Sequence, residues 1–332
     1  MTSLLDLFRA LVVDQKDGAT QAQVTHVVRK SLSDEPVIIA VTRSALNYKD
    51  ALAVTGAGKI LRSHPMIPGI ELAGRVVTSR DPHWPVGSRV LVGGWGVGER
   101  YSGGYTEYFA AKSEWIEPLP ASFDEDGAMT VGVAGITAME CIVRLRREGL
   151  GKAKPVLVTG ATGGVGSLAI RLLAGLGYSV AAATGRPELE GYLRSLGATS
   201  IVPRQELAAQ NKPLANERWG GAIDTIGGSV LAGLLSEMSL GASVAVVGLA
   251  ASADLKTTVF PFILRGVNLL GIDSTRLPLD HRTELWREIA EIITPAELAG
   301  MRETVDLEGV PKRARALLDG KTHGRTIVRI AE

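Results

Sequence analysis

Cysteine is nearly absent from this chain of 332 residues, in which Cys141 stands alone. A single cysteine excludes an intramolecular disulfide and any zinc site built from several cysteines. An excess of charge of one sign is also lacking, because 36 basic residues face 35 acidic ones and the formal net charge is +1. We therefore expect neither a nucleic-acid binder nor a polybasic membrane protein.

Long apolar runs are lacking as well. Residues 242–251 are typical of the apolar stretches, which are far shorter than the ~20 residues of a membrane-spanning helix. Residues 1–8 have no basic region and contain Asp6, so we expect no signal peptide. Hydrophobic residues make up 45% of the chain, which is typical of a folded protein. Together with the scarcity of cysteine, these features predict a soluble cytoplasmic protein without a membrane partner.

Proline and glycine divide the first third of the chain into short β-rich stretches at residues 37–41, 72–78, 89–92 and 105–110. Short strands separated by turn residues are typical of a compact β barrel or sandwich. Residues 128–145 are expected to form a helix. From residue 155 onward, strand-like and helix-like stretches alternate, which predicts a parallel sheet covered by helices on both faces.

The sequence therefore predicts an α/β protein with two domains. We assign residues 1–125 to a β-barrel catalytic domain and residues 126–272 to a doubly wound nucleotide-binding domain. Residues 273–332 contain an amphipathic helix, a further helix and a strand. Because the parallel sheet already has six strands by Ile272, we expect residues 273–332 to return to the first domain.

The strongest local signal is a glycine-rich turn. Within residues 158–166, glycines fall at positions 160, 163, 164 and 166, after an apolar strand and before a helix. A dinucleotide site needs such glycines for a tight turn, for close approach of the backbone to a pyrophosphate, and for packing of the helix on the strand. The helix N-terminus offers free N–H groups to the phosphates. This pattern favours dinucleotide binding over a turn without a ligand.

The end of the second strand indicates which nucleotide is bound. NAD sites usually carry an acidic residue about 20 residues after the glycine turn, where it bonds the ribose 2′-hydroxyl. Here that position has Thr184, Gly185 and Arg186, and Arg204 follows the third strand. A guanidinium group can pair with a 2′-phosphate, which a carboxylate would repel. We therefore predict NADPH as the cofactor, the alternative being that both arginines are solvated loop residues.

A polar segment follows the strand at residues 37–41. Tyr48 can donate a proton or fix the nicotinamide ribose, and Asn47 and Asp50 can orient Tyr48 or a water. The alternative is the start of a helix, in which Asn47 caps the helix and Asp50 lies in the first turn. The sequence leaves both interpretations open.

A zinc site is not expected. The five histidines are scattered without the spacing of metal ligands, and Cys141 lies in an apolar helical segment. Alcohol oxidation without a metal would lack a Lewis acid. Reduction of a quinone or of a carbon–carbon double bond next to a carbonyl fits better, because the carbonyl itself delocalises the developing charge.

The chain resembles the zinc-free medium-chain dehydrogenases/reductases, and especially the acrylyl-CoA reductase group with its quinone oxidoreductase-like members. The matching segments are residues 46–53, 65–70, 94–98, 135–139, 158–166, 222–225, 261–265 and 324–326. They follow the family's order from about residue 9 to the end of the chain. The resemblance implies a GroES-like β-barrel catalytic domain and a Rossmann domain. Ile70 stands where zinc-dependent relatives have a histidine ligand.

The resemblance also implies NADPH-dependent reduction of a short α,β-unsaturated acyl-CoA, such as acrylyl-CoA to propionyl-CoA, with hydride added to the β carbon and a proton to the α carbon. It places Tyr48 near the nicotinamide, with Asn47 and Asp50 beside it. Three further groups of residues are expected to hold the cofactor: Thr162, Gly163, Gly164 and Val165 at the pyrophosphate; Thr184, Gly185, Arg186 and Arg204 at the adenosine phosphate; and Leu249, Ile263 and Ser274 at the nicotinamide half.

Two other functions stay open at the level of the sequence. One is an NADPH-dependent reductase of quinones or enones, and the other is an NADPH-binding sensor or structural protein without turnover. Which group or water donates the proton also stays open. A homodimer is expected, because the apolar sixth strand at residues 267–272 is a candidate sheet edge that a second copy would cover.

Overall fold

The computed structural model describes residues 6–16, 18–210 and 212–331. Residues 1–5, on which part of the signal-peptide expectation falls, lie outside the described residues. The chain forms two compact units. Unit 1 comprises Met1–Val133, Thr275–Ala290 and Thr294–Glu332, and unit 2 comprises Ala134–Ser274 and Glu291–Ile293.

The strands of the described residues are, in chain order, β1 (Leu7–Lys16), β2 (Ala19–Val28), β3 (Val37–Leu46), β4 (Glu71–Ser79), β5 (Arg89–Gly93), β6 (Tyr108–Ala111), β7 (Ile116–Pro118), β8 (Val156–Val158), β9 (Val180–Thr184), β10 (Ser200–Pro203), β11 (Gly221–Asp224), β12 (Ser243–Val246), β13 (Asn268–Gly271), β14 (Arg302–Asp306) and β15 (Arg325–Arg329).

The helices are α1 (Tyr48–Thr55), α2 (Glu125–Arg147), α3 (Gly164–Gly175), α4 (Glu190–Ser195), α5 (Arg204–Ala209), α6 (Gly228–Ser236), α7 (Phe260–Arg265), α8 (Leu279–Ile292), α9 (Pro295–Ala299) and α10 (Val310–Leu318). Short 3-10 turns lie at Arg29–Ser31, Ser113–Trp115 and Pro187–Leu189.

Unit 1 is built on a mixed sheet with the strand order β14-β15-β3-β4-β5-β7, to which β6 adds by pairing with β3. The β-branched run of β3 gives it a strongly buried face, and β4, β6 and β15 all pair with it. The β1–β2 hairpin joins this unit through the backbone of Leu11 and Val13. The predicted strand at residues 105–110 begins only at Tyr108, because residues 105–107 pair with β1 and the ring of Tyr105 is fully buried.

Unit 2 contains a parallel sheet with the strand order β10-β9-β8-β11-β12-β13. These six strands, the last of which ends at Gly271, confirm the predicted doubly wound domain and its sixth strand. All three residues of β8 and all five of β9 are buried, as expected for central parallel strands. The carboxyl ends of β8, β9, β11 and β12 lie along one edge, where ligands of such sheets bind.

Helix α2 differs from the expectation in two ways. Its backbone is broken at Gly132, which has φ 46° and ψ −153°. It is also long and apolar enough to cross a membrane, with a mean hydropathy of 1.5, although no apolar run of that length was expected. Because 89% of that window is buried inside the protein, α2 has the character of a core helix.

Candidate functional site

The polar segment of unit 1 is the start of α1, where β3 ends and the helix begins. Asn47 occupies the N-cap position, and Asp50 lies in the first turn. One carboxylate oxygen of Asp50, Oδ2, accepts the backbone N–H of Asn47 at 2.9 Å, and the other, Oδ1, accepts that of Ile70 at 2.9 Å. Asp50 thus ties the beginning of α1 to the residue before β4. The structure confirms the helix start, which was one of the two interpretations of the sequence; a catalytic role for these residues stays a prediction.

The side-chain amide of Asn47 is engaged at both ends. Its Nδ2 donates to Oε1 of Glu71 at 2.7 Å, and its Oδ1 accepts from Nη1 of Arg325 at 2.8 Å. These two contacts fix the orientation of the amide, because exchanging its N and O atoms would place donor against donor. The geometry suits Asn47 to a positioning role.

Glu71 and Arg325 form a buried ion pair beneath this amide. Nη2 of Arg325 lies 2.7 Å from Oε1 of Glu71, with side-chain exposures of 3% and 1%. The other oxygen of Glu71 accepts the N–H of Val133 at 2.5 Å, which is the N–H that follows the break in α2. A Cβ at Gly132 would lie 2.2 Å from this oxygen. The glycine therefore makes room for the carboxylate.

Burial raises the pKa of Asp50 from 3.8 to about 7. The N–H of Asn47 opposes this rise, and the negative charge of Glu71 adds to it. Asp50 is the sequence-predicted site residue whose protonation changes near neutral pH. Since its carboxyl group is fully buried, it acts on its surroundings through the backbone of Asn47 and Ile70.

Tyr48 is the first residue of α1 and is 42% exposed. Asn47, in contrast, is half-buried and Asp50 is fully buried. The residue after Tyr48, Lys49, is connected through Glu99 to a group of basic residues. Nζ of Lys49 pairs with Oε1 of Glu99 at 2.8 Å, and the backbone N–H of Arg62 donates to the carbonyl of Glu99 at 2.9 Å. Arg100 follows directly in the chain. We call Lys49, Arg62 and Arg100 the basic rim.

The glycine-rich turn of unit 2 follows β8 and opens α3, as predicted. Gly160 has φ +57°, and a Cβ at Gly166 would lie 2.3 Å from the carbonyl oxygen of Gly160. The turn is therefore too tight for side chains at these positions. Gly163 is exposed, and Gly164 and Val165 are partly exposed at the helix N-terminus. This cradle of accessible N–H groups fits the pyrophosphate of a dinucleotide.

The residues predicted for the adenosine phosphate are brought together at the end of β9. The guanidinium of Arg186 donates to Oγ1 of Thr162, and the backbone N–H of Arg186 donates to Oγ1 of Thr184 at 3.0 Å. A Cβ at Gly185 would lie 3.1 Å from Nη2 of Arg204. The guanidinium of Arg204 thus lies against Gly185, the residue before Arg186. Burial lowers the pKa of Arg186, the negative charge of Glu188 opposes this, and the positive charge of Arg204 adds to it. This donor set fits a phosphate dianion.

The three residues predicted for the nicotinamide half lie on different segments of unit 2. Leu249 is on the loop after β12 with 61% exposure, and Ile263 is on α7 with 68% exposure. Ser274 is buried, and its hydroxyl lies 2.6 Å from that of Thr137. For these residues the structure gives positions, and their role stays a prediction.

A zinc ion does not fit the side chains present. Ile70 is buried and its backbone N–H is bound by Asp50, so the position of the family's histidine offers no ligand. Cys141 is buried, and burial raises the pKa of its thiol well above the usual range. Within the described part of the chain, no group of three His, Cys, Asp or Glu residues could hold a metal ion.

Sequence reasoning missed Glu71 and Arg325 as members of the site. Arg325 lies within residues 324–326, one of the segments that carry the family resemblance, and Glu71 directly follows another, residues 65–70. An acidic residue opening an apolar strand, as Glu71 opens β4, was the available signal. Arg325, in contrast, could not be paired with it from local pattern, since 254 residues separate them in the chain.

Comparison with known families matches both units. The model of the alcohol dehydrogenase GroES-like domain matches residues 33–121, and that of the zinc-binding dehydrogenases matches residues 164–293. The chain is 45% identical to the acrylyl-CoA reductase AcuI of Ruegeria pomeroyi, over 97% of this chain and 99% of that protein.

Two solved structures are also close. The YhdH oxidoreductase of Salmonella enterica in complex with NADP has a TM-score of 0.95 and 46% identity, covering 97% of this chain and 100% of that one. The Bacillus subtilis protein YhfP with NAD bound has a TM-score of 0.93 and 39% identity, covering 97% and 99%. The chain therefore belongs to the medium-chain dehydrogenase/reductase family, in the group of the acrylyl-CoA reductases and quinone oxidoreductase-like proteins.

Proposed function

We propose that this protein reduces the carbon–carbon double bond of a short α,β-unsaturated acyl-CoA, acrylyl-CoA in the simplest case, with NADPH as the reductant. The observation that carries the proposal is the nearly full-length similarity to an acrylyl-CoA reductase. The two guanidinium groups at the end of β9 support the choice of NADPH over NADH. When bound, NADPH supplies the hydride.

The residues of unit 2 hold and orient the cofactor in this proposal. Thr162, Gly163, Gly164 and Val165 bind the pyrophosphate at the start of α3. The hydroxyl of Thr184, the backbone of Gly185 and the side chains of Arg186 and Arg204 bind the 2′-phosphate. Leu249, Ile263 and Ser274 belong to the nicotinamide half, as the family resemblance implies.

Tyr48 is the proposed residue of unit 1 that faces the reacting groups, because its side chain is exposed at the start of α1, where the bond from Asn47 to Asp50 fixes the first turn. The β carbon gains a hydride and the double-bond electrons move to the α carbon and the thioester oxygen. A proton from Tyr48 or from water then completes the α carbon. The products are the saturated acyl-CoA and NADP⁺.

The test is the loss of NADPH absorbance with acrylyl-CoA, free acrylate or a simple quinone as the acceptor. Saturable turnover with the thioester and little with free acrylate is expected. Tyr48→Phe keeps the ring and removes the hydroxyl, and we expect it to lower kcat while leaving the Kd for NADPH unchanged. Tight NADPH binding without turnover of any acceptor would identify a sensor or structural protein instead.

A quinone or enone reductase is the second candidate, favoured by the membership in a group with quinone oxidoreductase-like proteins. This activity would need no CoA moiety. Faster turnover of the quinone than of the thioester would move the assignment to this candidate.

The basic rim gives the CoA proposal its own test. CoA is polyanionic. Lys49 of the rim follows Tyr48 in the chain, and Arg62 and Arg100 are exposed. Arg62→Glu should raise the KM for acrylyl-CoA and leave the KM for a quinone unchanged. Arg80→Glu is the control, since Arg80 is an exposed arginine just beyond β4, at the end opposite Glu71. Equal effects of the two substitutions would count against a CoA site at the rim.

A homodimer through the edge of the parallel sheet is the further part of the proposal. Strand β13 is an edge strand, and Leu269 on it is 40% exposed. Beside it in the chain, α7 and its N-cap residue expose large apolar side chains: Val259, Phe260, Ile263 and Leu264. An exposed strand edge continuous with apolar side chains favours pairing with a second copy.

Sedimentation of two matched variants tests the dimer. Leu269→Lys places a charge on the edge strand and should yield monomers. Ile201→Lys is the control, because Ile201 lies on β10, the edge strand at the opposite side of the same sheet. A Leu269→Lys protein that sediments like the unsubstituted protein would contradict pairing at β13. The cytoplasm is the proposed location, which cell fractionation would test.

A further inference from the structure

A buried carboxylate lies behind the glycine-rich turn of unit 2, and the proposed function has no role for it. Asp224 ends β11 and is fully buried. Its Oδ1 accepts the hydroxyl of Thr159 at 2.6 Å, and its Oδ2 accepts the backbone N–H of Gly227 at 2.8 Å. The carboxylate therefore joins the residue after β8 to the residue before α6. Asp224 lies in residues 222–225, one of the segments that carry the family resemblance.

Thr159 in turn binds Thr225, the residue that follows Asp224. Its Oγ1, which donates to Asp224, also accepts the N–H of Thr225 at 3.0 Å, and its carbonyl accepts the hydroxyl of Thr225 at 3.1 Å. Thr159 is itself fully buried, so these bonds do not compete with water. Thr159 immediately precedes Gly160, the first glycine of the turn.

Thr225 lies between the two loops that emerge from the neighbouring strands. A Cβ at Gly160 would lie 2.1 Å from its Oγ1, so its side chain packs directly against the glycine-rich turn. On its other side, a Cβ at Gly248 would lie 2.2 Å from its carbonyl oxygen. Gly248 precedes Leu249, which was predicted for the nicotinamide half. Thr225 thus lies between the glycine-rich turn and the loop after β12 and sets the distance between them.

We propose that Asp224 is a positioning residue that, through Thr159 and Thr225, sets the spacing between the glycine-rich turn and the loop after β12. It would hold the pyrophosphate and nicotinamide halves of the cofactor site in register. The inference rests on the proposed binding of NADPH. It assigns Asp224 no contact with the cofactor, and it leaves the adenosine end, built on Thr184 and Arg204, outside the network.

The experiment measures the Kd of two ligands by calorimetry, NADPH and adenosine 2′-phosphate, which carries only the adenosine end. Asp224→Asn removes the negative charge and replaces one of the two acceptor oxygens with an NH2 donor, so the charge-assisted bonds from Thr159 and from the backbone of Ile226 and Gly227 cannot all be kept. We expect its Kd for NADPH to rise roughly 10-fold, the effect of one charge-assisted hydrogen bond, with an unchanged Kd for adenosine 2′-phosphate. The isotope effect with deuterated NADPH should also increase, because a displaced nicotinamide slows hydride transfer.

Thr159 provides a second pair of variants in case Asp224→Asn fails to fold. Thr159→Val should reproduce the weaker NADPH binding, and Thr159→Ser, which keeps the hydroxyl, should restore it. Glu237→Gln is the control: this carboxylate of unit 2 is also buried, and it binds Nε1 of Trp219 at 2.9 Å, on the segment before β11. It should leave both Kd values unchanged.

An unchanged Kd for NADPH in both Asp224→Asn and Thr159→Val would overturn the inference. So would an equal weakening of both ligands, or an effect of Glu237→Gln as large as that of Asp224→Asn, since either would mean general damage to unit 2. Failure of the proposed function looks different, because the unsubstituted protein would then not bind NADPH more tightly than NADH.

Discussion

Asp50 makes the stability of unit 1 depend on pH in an unusual direction. Burial raises its pKa from 3.8 to about 7, so the folded state holds the proton more tightly than the unfolded chain. The unfolded state therefore binds fewer protons over this interval, and stability falls as the pH rises through it. Most carboxylates in folded proteins act in the opposite sense, since their pairing lowers the pKa.

The size of the effect follows from the shift. At about 1.36 kcal/mol for each pKa unit, the whole rise corresponds to about 4 kcal/mol. Between about pH 5 and pH 8, roughly 3 kcal/mol of this is lost, because part of the penalty is already present at pH 5. Asp50→Asn removes the titrating group. The free energy of unfolding of the native protein, minus that of the variant, should therefore fall by about 3 kcal/mol from pH 5 to pH 8.

Urea unfolding followed by tryptophan fluorescence measures this difference. Of the five tryptophans, four lie in unit 1: Trp84, Trp95, Trp115 and Trp286. Groups that titrate in both proteins cancel in the subtraction. Asp81→Asn is the control, because hydrogen bonds lower the pKa of Asp81 and its difference should stay flat above pH 5. A flat difference for Asp50→Asn as well would show that Asp50 is ionised at pH 5, and it would refute the reasoning.

Three further predictions concern the cofactor end and the buried ion pair. Arg186→Ala should raise the KM for NADPH about 10-fold or more, while the KM for NADH stays unchanged in steady-state assays; equal changes would contradict a 2′-phosphate site. Glu71→Gln should lower the free energy of unfolding by about 3 kcal/mol, because it leaves a buried arginine without its counterion. Glu99→Gln, in a more exposed pair, is the control and should lower it by less than about 1 kcal/mol. Gly132→Ala should cost about 3 kcal/mol, because its Cβ meets the carboxylate of Glu71, whereas Gly18→Ala, at φ +76° with open space around it, should cost about 1 kcal/mol in the same urea assay.

The parallel-sheet unit was predictable because its signals are local. A glycine-rich turn between an apolar strand and a helix has its whole pattern within residues 158–166, and alternating strands and helices follow along the chain. The turn at Gly160 and Gly166 is tight because of contacts between residues that are close together in the sequence. The sixth strand was likewise predicted from its own apolar run.

The polar cluster of unit 1 was only half predictable. The sequence placed Asn47, Tyr48 and Asp50 at the end of a strand and left open whether they act in catalysis or cap a helix. The structure puts Asn47 at the N-cap and engages its amide with Glu71 and Arg325. Those partners come from β4 and β15, and no periodicity in the sequence reports which distant strands become neighbours.

The composition of helix α2 does not by itself predict where the helix lies or where its backbone breaks. Its apolar length, judged alone, fits a membrane span or a core helix equally well. The break at Gly132 depends on a carboxylate from β4, since the N–H of Val133 needs Glu71 as its acceptor. Gly132 alone does not predict the break, because the sequence does not show that the carboxylate of Glu71 lies next to it.

The position of β15 has a consequence for the order of folding during synthesis. Strand β15 lies between β14 and β3 in the sheet of unit 1, although β3 and the other strands of that sheet, apart from β14, precede residue 119 in the chain. At about 5–20 residues per second, the roughly 200 residues between Val133 and Arg329 take about 10–40 s to translate. Throughout that interval β3 lacks one neighbour and Glu71 lacks its arginine, while residues 134–274 of unit 2 emerge without interruption. The nascent chain therefore exposes a strand edge of unit 1 until its last strand arrives, which is the period in which a chaperone would have most to protect.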